Sequence, residues 1–491
     1  MEPLYESFEK LQKNRISRRE FFKRMAALGL ATPAVIAFLQ GCSSAVPTLA
    51  PVGEAPGASA GAKSPAEMKE ALAKVTKDYT QANPLTFNIW EFRPDIVQNS
   101  IAEFEKQYDE KVNLEVIPGD YTSGMLNKII SGAPLDMIYV QDNMVKFSTA
   151  GWLHPLNDLW SLEEIKKETQ SVQWEAQTYK DQVLALPYFS AVKPVCGINR
   201  ILADKLGLKP ADYPKNWKEV YEISRRAKKE GVVDIPFMPR WIPSYPEISQ
   251  IFVGESRNWG DPMFDDELNP VFGPDTIAAE VLDTWRQLHA DKIVQETAVT
   301  MTVIDNIDGF GKGTYLFSAQ ETYDFLRFND PARSNIAGQA IFAPYAGTPW
   351  GYFNHGMYSM IERKGRSDVD TARALRLVEF FGWRDKNKEL FVGKQWIKEE
   401  NLGIGYDAPW QEPDVKEFLN GWIPEPDFQD KLLELYKHAK PNNAWKSIWY
   451  PEWNTAGQTL LPQAIVGQKP VKDTITELRD LAQSLKKRYG G

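Results

Sequence analysis

Cysteine and histidine are nearly missing from this chain, with two Cys and four His among 491 residues. His154, His289, His355 and His438 are scattered, and neither HExxH nor CxxC spacing occurs, which excludes the common zinc signatures. Cys196 sits in the apolar stretch Pro194–Ile198 and reads as a buried, inert small hydrophobe, because a reactive thiol needs an electropositive setting. Basic charge is also short: 57 Lys and Arg stand against 66 Asp and Glu, net −9. Nucleic-acid binding needs clustered Lys and Arg, so no nucleic-acid partner is expected. The apolar run Met25–Leu39 falls short of the about 20 residues that span a bilayer. A complete phosphate loop is missing as well, since near Gly311-Lys312 the first glycine slot holds Asn306 and Gly313 follows the lysine. Carboxylate pairs such as Asp265-Asp266, or Asp305 with Asp308, are the kind a glycosidase uses, but chance supplies such pairs among 66 acidic residues. No catalytic residue, metal site or cofactor is expected.

What is present begins at the N-terminus. Arg18 and Arg19 precede Phe21, Phe22 and Lys23, then the apolar run, then Leu39-Gln40-Gly41-Cys42. A basic segment, a short apolar segment and a small residue before a processing point make an export signal. The arginine pair resembles a twin-arginine signal, and the four residues ending at Cys42 resemble a bacterial lipobox. Residues 1–41 are therefore read as removed, with lipid on Cys42 and Cys196 left as the one free thiol, so no intrachain disulfide is expected. Acyl chains at about 0.8 kcal/mol per buried CH2 would hold such a protein on a membrane surface, outside the cytoplasm.

Residues 42–63 are rich in Ala, Pro, Gly and Ser and lack apolar periodicity, so they read as a flexible tether with a reach of roughly 25 Å. Ser64-Pro65-Ala66-Glu67 has the pattern of a capping box with proline at the first helical position, and predicts a linking helix over 64–83. The roughly 400 residues from Pro84 onward exceed what one core usually holds, so two lobes are expected. The first opens with a strand at Leu85, Phe87 and Ile89, then a helix with Val97, Ile101, Phe104 and Tyr108 on one face, then strands at 112–116 and 135–140. Strands alternating with helices argue for a parallel α/β sheet whose ligands gather beyond the carboxyl ends of its strands. That rim includes Trp90, Glu91 and Asp142.

Segments in order carry a resemblance: FEKQYDEKVNLEVI (104–117), SGAPLDMIYVQDN (131–143), GWLHPLNDL (151–159), QVLALPYFSAVKPVCGINRILADKLGL (182–208), PKNWKEV (214–220), GFGKGTYLFS (309–318), IAGQAIFAPYAGTPWGYFNHGMYSMIER (336–363) and LLPQAIVGQKPVKDTITELRDLAQSL (460–485). Together they resemble the extracellular solute-binding proteins of ABC importers, family 1, the maltose-binding-like branch. The resemblance implies a two-lobed periplasmic-binding-protein-like α/β fold with crossover hinges and a cleft. It places the first crossover near 186–195 and the return near 342–351. The first lobe would then comprise 84–192 and 350–392, and the second 193–349, with the C-terminal helices of 393–491 mainly on the second. It also implies a monomer that delivers a small solute to permease subunits.

Sugar rings offer flat C–H patches beside hydroxyls, which aromatic faces and planar polar groups complement. Sixteen Trp and nineteen Tyr supply candidates. Trp90, Glu91 and Asp142 lie on the rim of the first lobe, and Tyr188 is in the first crossover. Arg240 and Trp241 fall in a proline-broken segment. Trp350, Tyr352 and Asn354 follow the return crossover, and Trp410 sits in a loop. These ten are the expected ligand-binding residues. The same fold binding a polyamine, a phosphate ester or a metal complex stays open, as does a secreted carbohydrate-active enzyme.

Overall fold

The computed structural model describes residues 63–118, 121–243, 247–343, 352–439 and 443–489. Arg18, Arg19, Cys42, Trp350 and most of the return segment 342–351 lie outside the described residues. Lys63 onward belongs to one compact unit. Its first helix, Pro65–Leu72, starts on the expected capping box: the Ser64 hydroxyl accepts from the Glu67 N–H, and the Glu67 carboxylate accepts from the Ser64 N–H at 2.7 Å. The single helix expected over 64–83 is instead two. Thr76 takes extended backbone and caps a second helix, Lys77–Ala82, by accepting from the Tyr79 N–H, which ends the first. Helix Pro65–Leu72 packs on helix Asp368–Gly382. Tyr79 adds a hydrogen bond to Asp370 (3.0 Å), and Lys63 an ion pair to Asp368.

Strands β1 (Leu85–Trp90), β2 (Val112–Ile117), β3 (Met137–Val140) and β4 (Leu153–His154) belong to the first sheet, where β1 lies parallel to both β2 and β3. A small ribbon follows, β5 (Thr178–Tyr179) with β6 (Gln182–Val183). β7 (Leu186–Lys193) is buried along its whole length and leads through a cis Lys193–Pro194 peptide into β8 (Val195–Asn199). β8 opens the second sheet with β9 (Phe237–Met238), β10 (Phe317–Gln320) and β11 (Ala340–Ala343), in the order β11-β8-β10-β9. β12 (Tyr352–Ile361) then returns to the first sheet, antiparallel to β3, β4 and β7.

Each sheet is covered by helices that bury an apolar stripe. On helix Pro94–Tyr108 that stripe includes Val97, Ile101 and Phe104, and Phe104 meets Phe380 edge-on at 5.2 Å. The chain thus adopts the expected two-lobed α/β fold. The C-terminal elements of 393–491 contact both lobes. Helix Phe391–Glu400 packs on helices Pro94–Tyr108 and Asp368–Gly382 of the first lobe and on helix Asp324–Phe328 of the second; it buries Val392, Trp396 and Ile397, and its Glu400 pairs with Arg93. Helices Tyr450–Ile465 and Val471–Tyr489 pack on each other and on helix Ile277–Ala290 of the second, and the former also on helix Glu247–Asn258. Among the described residues no helix is long and apolar enough to cross a membrane.

Candidate functional site

The paired strands β7 and β12 run from the first sheet to the junction of the lobes, with Lys193 opposite Tyr352 and Ala191 opposite Asn354. Alternation along β12 sends Tyr352 and Asn354 to one face and Phe353 and His355 to the other. The second face meets C-terminal elements: the His355 ring lies 4.9 Å from Trp445, and burial lowers the His355 imidazole to about 4. The first face meets the second lobe.

There Lys193 donates to Glu247 (3.0 Å) and Glu321 (3.2 Å), and Asn354 donates to the other oxygen of Glu321 (3.0 Å). Arg240 completes the group, reaching Glu247 (3.1 Å), Glu321 (3.1 Å), Asp324 (2.7 Å) and the side-chain Oε1 of Gln320 (3.1 Å). Arg240, Glu321 and Asp324 are fully buried, and Lys193 almost so. Burial alone would raise the Glu247 carboxyl, but Lys193 and Arg240 hold it below the usual carboxylate range. Asp324 is pushed up to about 6, burial outweighing its contact with Arg240. Removing one member of such a network leaves an uncompensated buried charge, a loss of about 3–5 kcal/mol.

Beside this network the rims touch. Asp142, just after β3, accepts from the side-chain amides of Gln250 (3.2 Å) and Asn454 (3.3 Å), both on helices of the second lobe. Burial raises the Asp142 carboxyl, and Gln250, Lys193 and Asn454 offset part of that rise. Tyr352 is buried, and burial, with Asp142 and Tyr450 nearby, lifts its phenol well above the usual value. The half-buried Arg257 faces the phenols of Tyr450 and Tyr352. Helix Glu247–Asn258 comes this close because Gly254 has no side chain: a Cβ there would lie 3.2 Å from the Tyr352 Cβ and 3.3 Å from the Lys193 carbonyl.

Of the expected binding residues, the structure brings Asp142, Arg240, Tyr352 and Asn354 to this seam. Trp90 ends β1 half-buried, tilted against Phe92 at 5.3 Å, and Glu91 next to it is exposed. Three aromatics are core instead. Trp241 is buried with its ring 5.1 Å from Trp285, Trp410 is fully buried in a 3-10 turn, and Tyr188 stacks on Tyr139 at 4.5 Å inside the first lobe. The proline-broken segment and the loop that suggested an opening fold inward, because large aromatics gain most from full burial. Trp350 lies outside the described residues. Among those described, no cluster of His, Cys, Asp and Glu could hold a metal ion.

The seam also uses residues that the sequence reading passed over: Lys193, Glu247, Gln250, Arg257, Glu321 and Asn454. Half-buried Tyr323, between Glu321 and Asp324, joins them. One signal could have drawn attention to Asn454: Trp445, Trp449, Tyr450 and Trp453 crowd into the nine residues just before it.

Solved structures share this fold. MalE3 of T. maritima with bound maltose superposes with a TM-score of 0.68 at 17% identity, over 82% of this chain and 99% of that one. UgpB of Mycobacterium tuberculosis in complex with glycerophosphocholine gives 0.68 at 15%, over 83% and 99%. An ABC transporter solute-binding protein of Thermotoga lettingae TMO bound with α-D-tagatose gives 0.65 at 16%, over 82% and 99%. At these identities the likeness is one of fold. No curated protein sequence matches the chain. Residues 93–374, more than half the chain, match the family described as bacterial extracellular solute-binding protein. With two sheets joined by paired crossover strands and a polar seam between them, the chain belongs to the bacterial extracellular solute-binding proteins.

Proposed function

We propose that this protein is the receptor of an ABC importer and that it captures a carbohydrate between its lobes and delivers it to the permease. Export on the Arg18-Arg19 signal and lipid on Cys42 keep it at the outer face of the membrane, where it acts as a monomer and without catalysis. One observation carries the solute class. Asp142, Gln250, Asn454 and Tyr352 converge from both lobes, with Tyr323 and Tyr450 close by. Planar amides, a carboxylate and phenols in one seam suit hydroxyls on a ring, and bringing them from two lobes makes closure depend on occupancy. The sugars held by the T. maritima and T. lettingae proteins support this reading.

A second reading has its own support. Arg257 stands at the same seam, and UgpB shares the fold in complex with glycerophosphocholine, so a phosphate ester is the alternative. A thermal-shift screen of the chain from Lys63 against sugars, polyols, phosphodiesters, polyamines and ferric chelates separates them. A true ligand at a hundredfold excess over Kd adds about 2.7 kcal/mol of stability. Stabilisation by sugars, lost in Asp142→Ala, upholds the carbohydrate reading. Stabilisation by phosphodiesters alone replaces it, and turnover of a sugar would mean an enzyme.

A further inference from the structure

The junction between the lobes is tied by a fully buried carboxylate. Glu321 follows β10 on the second sheet and is fully buried. One of its oxygens accepts from Lys193, the last residue of β7, and the other accepts from Asn354 on β12. Both strands belong to the first sheet's ladder, and both are the routes by which the chain passes between lobes. A rotation of the second sheet against this ladder must lengthen at least one of these bonds. Arg240 holds Glu321 in turn, through the same oxygen that meets Lys193, and is itself fixed by Glu247 and Asp324. Thr322, the next residue, takes the Val192 N–H on its hydroxyl (3.3 Å), so the backbone of the same strand is gripped at the same level.

We propose that Glu321 is a positioning residue for lobe closure: by holding Lys193 and Asn354 together it sets how far the two lobes stand open. The inference rests on the two-lobed fold and not on which solute is bound. A hydrogen bond to a charged, buried group is worth about 1.5–3 kcal/mol, so losing one arm should raise the open-to-closed ratio about tenfold or more.

The test is a distance measurement between nitroxide labels in the full chain carrying Cys42→Ser. Labels go at Gln98→Cys on helix Pro94–Tyr108 and Lys229→Cys on helix Trp217–Lys229, both exposed and on different lobes, while buried Cys196 stays unlabelled. Glu321→Gln keeps size and shape but turns one oxygen into a donor facing a donor, and should add a longer-distance population without any solute. Asn354→Ala removes only the half-buried arm and should do the same, and it decides the matter if Glu321→Gln does not fold. The double exchange Glu321→Gln with Asn354→Asp reverses donor and acceptor, keeps the net charge, and should restore the parent distribution. A purely structural role would lower thermal stability and leave the distances unmoved. An unchanged distribution in Asn354→Ala, or a double exchange no more closed than Glu321→Gln alone, overturns the proposal.

Discussion

The carboxylate of Asp142 on the first lobe accepts a hydrogen bond from the side-chain amide of Gln250 on the second, at 3.2 Å. The two rims are thus bonded to each other directly. Under the proposed mode of capture, a carbohydrate entering here would exchange these hydrogen bonds for ones to its own hydroxyls.

Asp142→Asn should separate stability from binding. Burial raises the Asp142 carboxyl, so its folded value lies above its unfolded one. Such a group favours the fold at low pH, and that contribution is lost as pH rises through the folded value. At neutral pH the ionised side chain therefore costs stability, and the Asn variant should melt at the same temperature or higher. Its solute affinity should fall about tenfold, as expected for losing a charged acceptor. Calorimetric melting and titration calorimetry on one preparation check both.

Tyr352→Phe removes one buried hydroxyl beside Asp142 and leaves the ring in place. The expected result is a two- to tenfold weaker solute affinity, in line with about 0.5–1.5 kcal/mol for a neutral hydrogen bond. The dissociation rate, measured by stopped flow, should carry most of the change.

Gly254→Val should block closure. Helix Glu247–Asn258 lies so near the crossover strands that even a Cβ falls within 3.3 Å of three atoms, and two further methyls must push helix and strands apart. Overpacking of this kind costs about 1–3 kcal/mol. The variant should show a larger radius of gyration by X-ray scattering and little compaction on adding solute.

His154 gives a pH-dependent stability of the same sign as Asp142, but from ion pairing and not from burial. Burial opposes its charge, but Asp158 (3.0 Å) and Glu362 (2.7 Å) bind the ring on both sides and raise it to about 9. The folded value lies above the unfolded 6.5, so the stabilisation is full below about pH 6 and disappears as pH rises through 9. His154→Gln should lose on the order of 2 kcal/mol at pH 6 and match the parent above pH 10. Urea melts across that range provide the measurement.

The parts of the fold written in local pattern were legible in the sequence. Leu85, Phe87 and Ile89 alternate and form β1, Ser64 with Glu67 forms its capping box, and Val97, Ile101 and Phe104 share the buried face of helix Pro94–Tyr108. The seam was legible where its residues end a strand, follow a crossover or sit in the proline-broken segment, as Asp142, Tyr352 and Arg240 do. Glu321 and Lys193 lie 128 positions apart, and no local pattern links an acid to a base at that separation. Trp241 and Trp410 look like cleft aromatics from their broken surroundings, yet an irregular segment can fold inward when its large side chains find a core.

The helix Pro65–Leu72 rests on helix Asp368–Gly382, so the two halves of the molecule are not equivalent. Under the lipid anchor on Cys42 proposed above, the first lobe would be the moored half and the second the one left to swing. A permease would then meet one constant surface and one that arrives only on closure.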